Sequence, residues 1–152
     1  MAIYIQSVLN SIGYKATVKP LSSNISFTYM QNSKNKMQIG VTQWYQDYPQ
    51  ASDFLNVLLG CDSFHPGSDT SINMSGYCNK KVDGEMKHAL QLGIEDPPAA
   101  LKLWAKVDRQ VTDDATQAVL LNPRWIDFTS KRVGNYIWSA QFYMILDQAW
   151  VQ

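Results

Sequence analysis

Alternating helical and extended apolar periods predict an α/β fold for this chain of 152 residues, with a mixed sheet flanked by helices. Three observations carry that expectation. The stripe Ile5, Val8, Leu9 and Ile12 has helical spacing and ends at Gly13, a natural left-handed stop, and Tyr14 to Pro20 then alternates like a strand with Ala16 and Val18 inward. Met37, Ile39 and Val41 alternate with Gln38, Gly40 and Thr42, the period of a half-buried strand. Val82, Met86, Ala89 and Leu90 mark one helix, and Leu101, Trp104, Val107 and Val111 a second, the pair expected to cover one face of the sheet.

The remaining elements follow from local chemistry. Ser22 to Asn35 is polar with Phe27, Tyr29 and Met30 embedded, which predicts a short helix and an Asn-Ser-Lys-Asn connection. Ser52 is placed to cap a helix running to Leu59, with Phe54, Leu55 and Leu58 as its packing face. Asp96-Pro97-Pro98 combines a helix N-cap with proline in the first turn, where no backbone donor is lost. Trp104 lies on the apolar stripe of that helix and reads as core rather than ligand contact. Thr116 to Leu121 suits a buried strand that Pro123 ends, and the aromatics from Trp125 to Trp150 suit a C-terminal segment wrapped around the body, with some of them lining a cleft as the alternative.

Composition sets further bounds. With 45% hydrophobic residues the chain can form one globular domain, taken as residues 1–152. Thirteen acidic and thirteen basic residues cancel and no Lys or Arg run appears, so nucleic acid and anionic membranes have no electrostatic basis as partners. No stretch reaches the roughly 20 apolar residues of a membrane span, and the N-terminus has no secretory pattern. Met1 runs straight into an apolar helical stripe with no capping residue ahead of it, which predicts a chain that starts inside a domain.

Cys61 and Cys78 bracket a long loop rich in Ser, Asp, Asn, Gly and Pro. A disulfide between them would stabilise the fold by about 3 kcal/mol and pin a loop with little apolar content. Two buried free thiols are the plain alternative, and a zinc site completed by His65 is the least favoured. An oxidised pair points to an extracytoplasmic compartment.

No Gly-x-Ser-x-Gly elbow, phosphate loop, His-Glu-x-x-His or dinucleotide glycine motif is present. His65 and His88 read as structural, and Asp113-Asp114 as a solubilising helix end. The chain is therefore expected to be a binder without a cofactor rather than an enzyme. The candidate site is Gly40 to Phe54, where a strand opens into Trp44, Tyr45, Asp47 and Tyr48 before Pro49 stops it. Aromatic rings and one carboxylate make Asp47 a candidate anchor for a cationic group; the alternative is an Asp that holds a turn under packed aromatics.

From Ile5 to Trp150 the order of features resembles the C-terminal part of the solute-binding proteins of peptide and nickel ABC importers. The residues that carry the resemblance are Ser7 to Val18, Trp44-Tyr45-Gln46-Asp47-Tyr48-Pro49 with the following Phe54-Leu55, Ser75-Gly76-Tyr77-Cys78-Asn79 through Asp83, Leu103 to Asp108, Asp113-Asp114-Ala115 and Arg132 to Tyr136. The resemblance implies part of the second lobe of a two-lobed periplasmic-binding-protein-like fold, located outside the cytoplasm, free in the periplasm or lipid-anchored. It implies that Asp47 pairs with the free α-amino group of a bound peptide, with Trp44 as its aromatic neighbour. It also implies a partnership with the permease subunits through the full-length protein, the piece itself being a monomer. Where some members carry an Arg shortly before the Trp, this chain has Ile39, Gly40 and Val41, so the ligand carboxylate is not held from there. The same family binds nickel chelates and oligosaccharides, and a small α/β enzyme fragment is the remaining alternative.

Overall fold

The computed structural model describes residues 1–152 as a small mixed α/β domain with five α-helices and two small antiparallel sheets. The helices are α1 (Ala2–Ser11), α2 (Ser23–Gln31), α3 (Ser52–Leu59), α4 (Lys80–Glu95) and α5 (Pro97–Asp113). Strand β1 (Val133–Gly134) pairs with β4 (Trp150–Val151), and β2 (Trp138–Ser139) pairs with β3 (Tyr143–Met144).

The core is a helical hairpin. Asn79 caps α4 by accepting from the backbone N–H groups of Lys81 and Val82, and the chain reverses at a single residue, Asp96. Its backbone N–H donates to Leu92 at 2.7 Å and closes α4, while its carboxylate accepts from Ala99 at 3.1 Å and opens α5. Pro97 and Pro98 cannot extend α4 but cost nothing in the first turn of α5. Val82, Met86 and Ala89 then face Ala100, Trp104, Val107 and Val111, and the small Ala89 and Ala100 let the helices close near the corner. Leu55 and Leu59 of α3 complete this cluster of nine buried side chains.

Two details of these helices differ from the sequence reading. Leu90 and Leu101 are exposed, at the edge of a stripe narrower than the periodicity implied. Phe54 is also exposed, and Ser52 lies just inside α3, its hydroxyl donating to the Tyr48 hydroxyl at 3.2 Å instead of capping.

The hairpin packs on α3 rather than on a sheet, because the expected strands find no ladder. Ala16 shows why for the first: its N–H donates to the Asn10 side chain at 2.8 Å and its carbonyl accepts from Gln6 at 3.0 Å, so helix α1 occupies the groups a strand would need. Residues 37–42 and 116–121 form no strand and pair with no ladder, with Ile39, Val41, Val119, Leu120 and Leu121 exposed. The accessible surface reaches 11306 Å². A compact monomer of 17.2 kDa exposes about 7,800 Å², so much of the apolar surface of these segments lies outside any core.

The C-terminal segment folds back as two ribbons. Gly134 lies opposite Trp150, whose indole occupies the space a Cβ would need, which explains a glycine in this strand.

Cys61 and Cys78 form a disulfide, the option preferred from the sequence. Between them the loop is organised by one buried amide. Asn73 donates to the carbonyls of Gly60 at 3.1 Å and Tyr77 at 2.8 Å, and its oxygen accepts from the Ser75 hydroxyl and the Gly76 N–H. Ser71, equally buried, adds bonds to the carbonyls of Ser63 and Asn73. Helix α4 is joined to the same loop by Asp83, which accepts from the Cys61 N–H at 2.9 Å, and by Lys87, bridging Asp62 at 2.8 Å and Asp83 at 3.0 Å. These bonds to Asp62 and Asp83 hold Lys87 above the usual lysine range, and Lys87 in turn holds Asp62 below the usual carboxylate range.

Two outcomes follow from this loop. Asn73→Ala removes the side-chain donor to the Tyr77 carbonyl and one of the two donors to the Gly60 carbonyl, and the acceptor of the Gly76 N–H, and is expected to lower stability by about 2 kcal/mol in urea denaturation. Desolvation and the 2.6 Å hydrogen bond to Asp114 push Tyr77 from 10.0 to about 12. A raised folded pKa means a contribution complete below pH 10 and lost as pH rises through about 12. In Tyr77→Phe, the fall of stability with pH between about 10 and 12 is expected to be shallower than in the parent, measured by denaturation at fixed pH values.

Candidate functional site

The site is a groove of about 570 Å³ between α2 and the irregular segment that follows it. One wall is α2, where Ser23, Ser26, Phe27 and Met30 recur at helical spacing and so share a face. The other is Val41 to Tyr45 with Asp47. Gly40 permits the close approach of the two: a Cβ there would come within 2.8 Å of the Met30 and Met37 sulfurs.

Each wall is tied to the body by a different device. The end of α2 docks on the disulfide loop through Asn32, which donates to Asp69 at 2.7 Å, and Ser33, which accepts from the Gly67 N–H at 2.8 Å. The opposite wall is fixed through α3. Asp53, fully buried in its first turn, accepts the Asp47 backbone N–H at 2.8 Å through one oxygen, while the other has no partner. On the far side Gln141 donates to the Asp47 carbonyl at 3.0 Å, and Gln46 donates to the Ala140 carbonyl at 3.1 Å.

Of the four residues singled out in the sequence, Trp44, Tyr45 and Asp47 line the groove. Tyr48 does not; it turns toward the start of α3 and holds Ser52. Asp47 is the only charged residue of the lining, and its carboxylate takes no part in the hydrogen bonds and ion pairs of the fold. Trp44 presents a buried indole N–H that is likewise unpartnered.

Several participants were not among those four residues. Trp125 and Tyr143 come from the wrapped C-terminal segment and meet Tyr45 edge-on at 6.0 and 6.1 Å, with 4.9 Å between their own centroids. Their separation in sequence gives no local signal. Phe27 and Met30 had one, since the 23, 26, 27, 30 spacing of α2 marks a single face. Asp53 had a weaker one, an acid in the first turn of an otherwise apolar helix.

The groove thus offers a single uncompensated negative charge among aromatic, thioether and hydroxyl groups, a setting suited to a cation with an apolar body. Comparison of the chain with protein-family models, curated proteins and solved structures finds no match. The aromatic contact itself can be measured. A double-mutant cycle on Tyr45→Ala and Trp125→Ala is expected to give a coupling of about 1 kcal/mol in chemical denaturation, tying the C-terminal segment to the site loop.

Proposed function

We propose that this chain binds a small solute for an ABC import system, as part of one lobe of an extracytoplasmic receptor of the peptide and nickel-binding kind, and that the solute is a di- or oligopeptide. Asp47 carries the reading. It is a free carboxylate on a held backbone, alone in charge among the groove residues, and it stands at the position that the Trp-x-x-Asp resemblance assigns to the peptide α-amino group. An ammonium in such a groove forms a charge-assisted hydrogen bond, stronger once water is excluded.

In this reading the ligand's amino end meets Asp47 while Trp44 and Tyr45 cover the adjacent chain. A second lobe closes by hinge motion and supplies the carboxylate clamp that Ile39, Gly40 and Val41 do not. Further support comes from residues 37–42 and 116–121, strand-like in sequence and without a ladder partner here, as segments of a larger sheet would be. The Cys61–Cys78 disulfide suits an oxidising compartment.

The test is calorimetric titration of the chain, and of any longer polypeptide that its gene encodes, with a mixture of short peptides and with the same peptides N-acetylated. Binding of the free-amine peptides alone, weakened about 30-fold or more by Asp47→Asn, is the expected result. Indifference to acetylation removes Asp47 as the anchor. Failure of every peptide, with binding of a nickel chelate or an oligosaccharide, moves the ligand class.

A further inference from the structure

Asp47 has an unusual division of labour among its polar groups. Its N–H is held by Asp53 at 2.8 Å and its carbonyl by Gln141 at 3.0 Å, while the carboxylate is left unengaged at the groove. The two holding groups come from segments far apart in the chain: Asp53 from the first turn of α3, Gln141 from the turn between β2 and β3.

Asp53 is expensive to keep for structural reasons alone. Its side chain is fully buried, and one carboxylate oxygen has no hydrogen-bond donor, a desolvation cost that an ordinary N-terminal helix residue avoids by facing water. Helix α3 does not need it as an N-cap, because its one hydrogen bond goes outside the helix, to residue 47. The bond closes the turn through Pro49, within which the Gln50 N–H donates to the Tyr48 carbonyl at 2.9 Å and the Asp53 N–H to the Gln50 carbonyl at 3.2 Å. Gln141 is held in turn by its own tight turn, where the Ser139 hydroxyl oxygen accepts from the N–H groups of Gln141 and Phe142.

We infer that Asp53 and Gln141 are positioning residues that clamp the backbone of Asp47 and so aim its carboxylate into the groove before any ligand arrives. The inference rests on the ligand-binding reading of Asp47 for its purpose, but the clamp itself is measurable without a ligand. A preorganised anchor keeps affinity that a mobile one spends on ordering its loop. Because one half of the clamp lies on α3 and the other on the C-terminal segment, the site is complete only when both parts of the chain are docked.

The experiment has two readouts on the parent chain, Asp53→Asn, Asp53→Ala and Gln141→Ala. The first is amide hydrogen exchange at Asp47, followed by NMR with the amides of α4 and α5 as the internal control. Asp53→Ala is expected to accelerate exchange at Asp47 about tenfold, with α4 and α5 unchanged, whereas Asp53→Asn, which retains an acceptor oxygen, keeps most of the protection. Unchanged exchange at Asp47 in Asp53→Ala overturns the clamp whatever the ligand is. If Asp53→Ala loosens α4 and α5 as well, Gln141→Ala, at the turn remote from the core, decides: it must raise mobility of the Asp47 loop alone, seen as line broadening at residues 46–48, or the inference is withdrawn.

The second readout is the titration with free-amine and N-acetylated peptides. Asp53→Ala and Gln141→Ala are each expected to weaken the free-amine peptide about tenfold and narrow its advantage over the acetylated one, with Asp53→Asn close to the parent. Asp53→Asn as damaging as Asp47→Asn would overturn positioning in favour of direct contact between Asp53 and the ammonium. No peptide binding by the chain or by any longer polypeptide that its gene encodes defeats the ligand reading, while the exchange data still decide the clamp.

Discussion

The packing of α4 against α5 is the interaction on which everything else in this domain depends. Seven side chains along that interface supply most of the buried apolar surface, and each large one contributes roughly 1.5–3 kcal/mol relative to exposure. The only other members of the cluster, Leu55 and Leu59, belong to α3. Helix α3 is therefore the link between core and groove. Its apolar face is held by the hairpin, its first turn carries Asp53, and Asp53 holds the backbone of Asp47.

The second wall of the groove is secured by polar rather than apolar means. The disulfide loop has little to bury, and it is ordered by Asn73, Ser71 and the Cys61–Cys78 link, with α4 attached through Asp83 and Lys87. Helix α2 leans on that loop through Asn32 and Ser33. A groove with one wall on a hydrophobic core and the other on a hydrogen-bonded loop is unequal in rigidity. Local opening is expected first on the side with fewer buried apolar contacts, which is α2.

Much of this was legible in the sequence wherever the deciding physics is local. Proline in the first turn, Asp96 as cap, the apolar stripes of α4 and α5, the left-handed Gly13 and the core placement of Trp104 all depend on residues within a turn or two of one another. Strands are different, because alternation says only that a segment could lie on a sheet. Residues 14–20, 37–42 and 116–121 have the pattern, yet the ladder partners are absent, and Ala16 is bonded by α1 instead. The candidate site divides the same way. Trp44, Tyr45 and Asp47 stand together in sequence and together at the groove, whereas Tyr48, two residues from a turn-forming Gln50, is rotated out of it.

By itself the sequence determined the five helices, the cysteine pair as the favoured disulfide and the short stretch that brings one carboxylate among aromatic rings. Those follow from periodicity, caps and spacing, which act over a few residues. Only the tertiary structure decided that α2 faces that stretch, that Trp125 and Tyr143 pack on Tyr45, and that a buried Asp53 and a distant Gln141 grip the main chain of Asp47. The reason is physical: each is a contact between segments that share no local pattern, created when a small apolar core fixes α3 and the remaining chain must satisfy its polar groups around it.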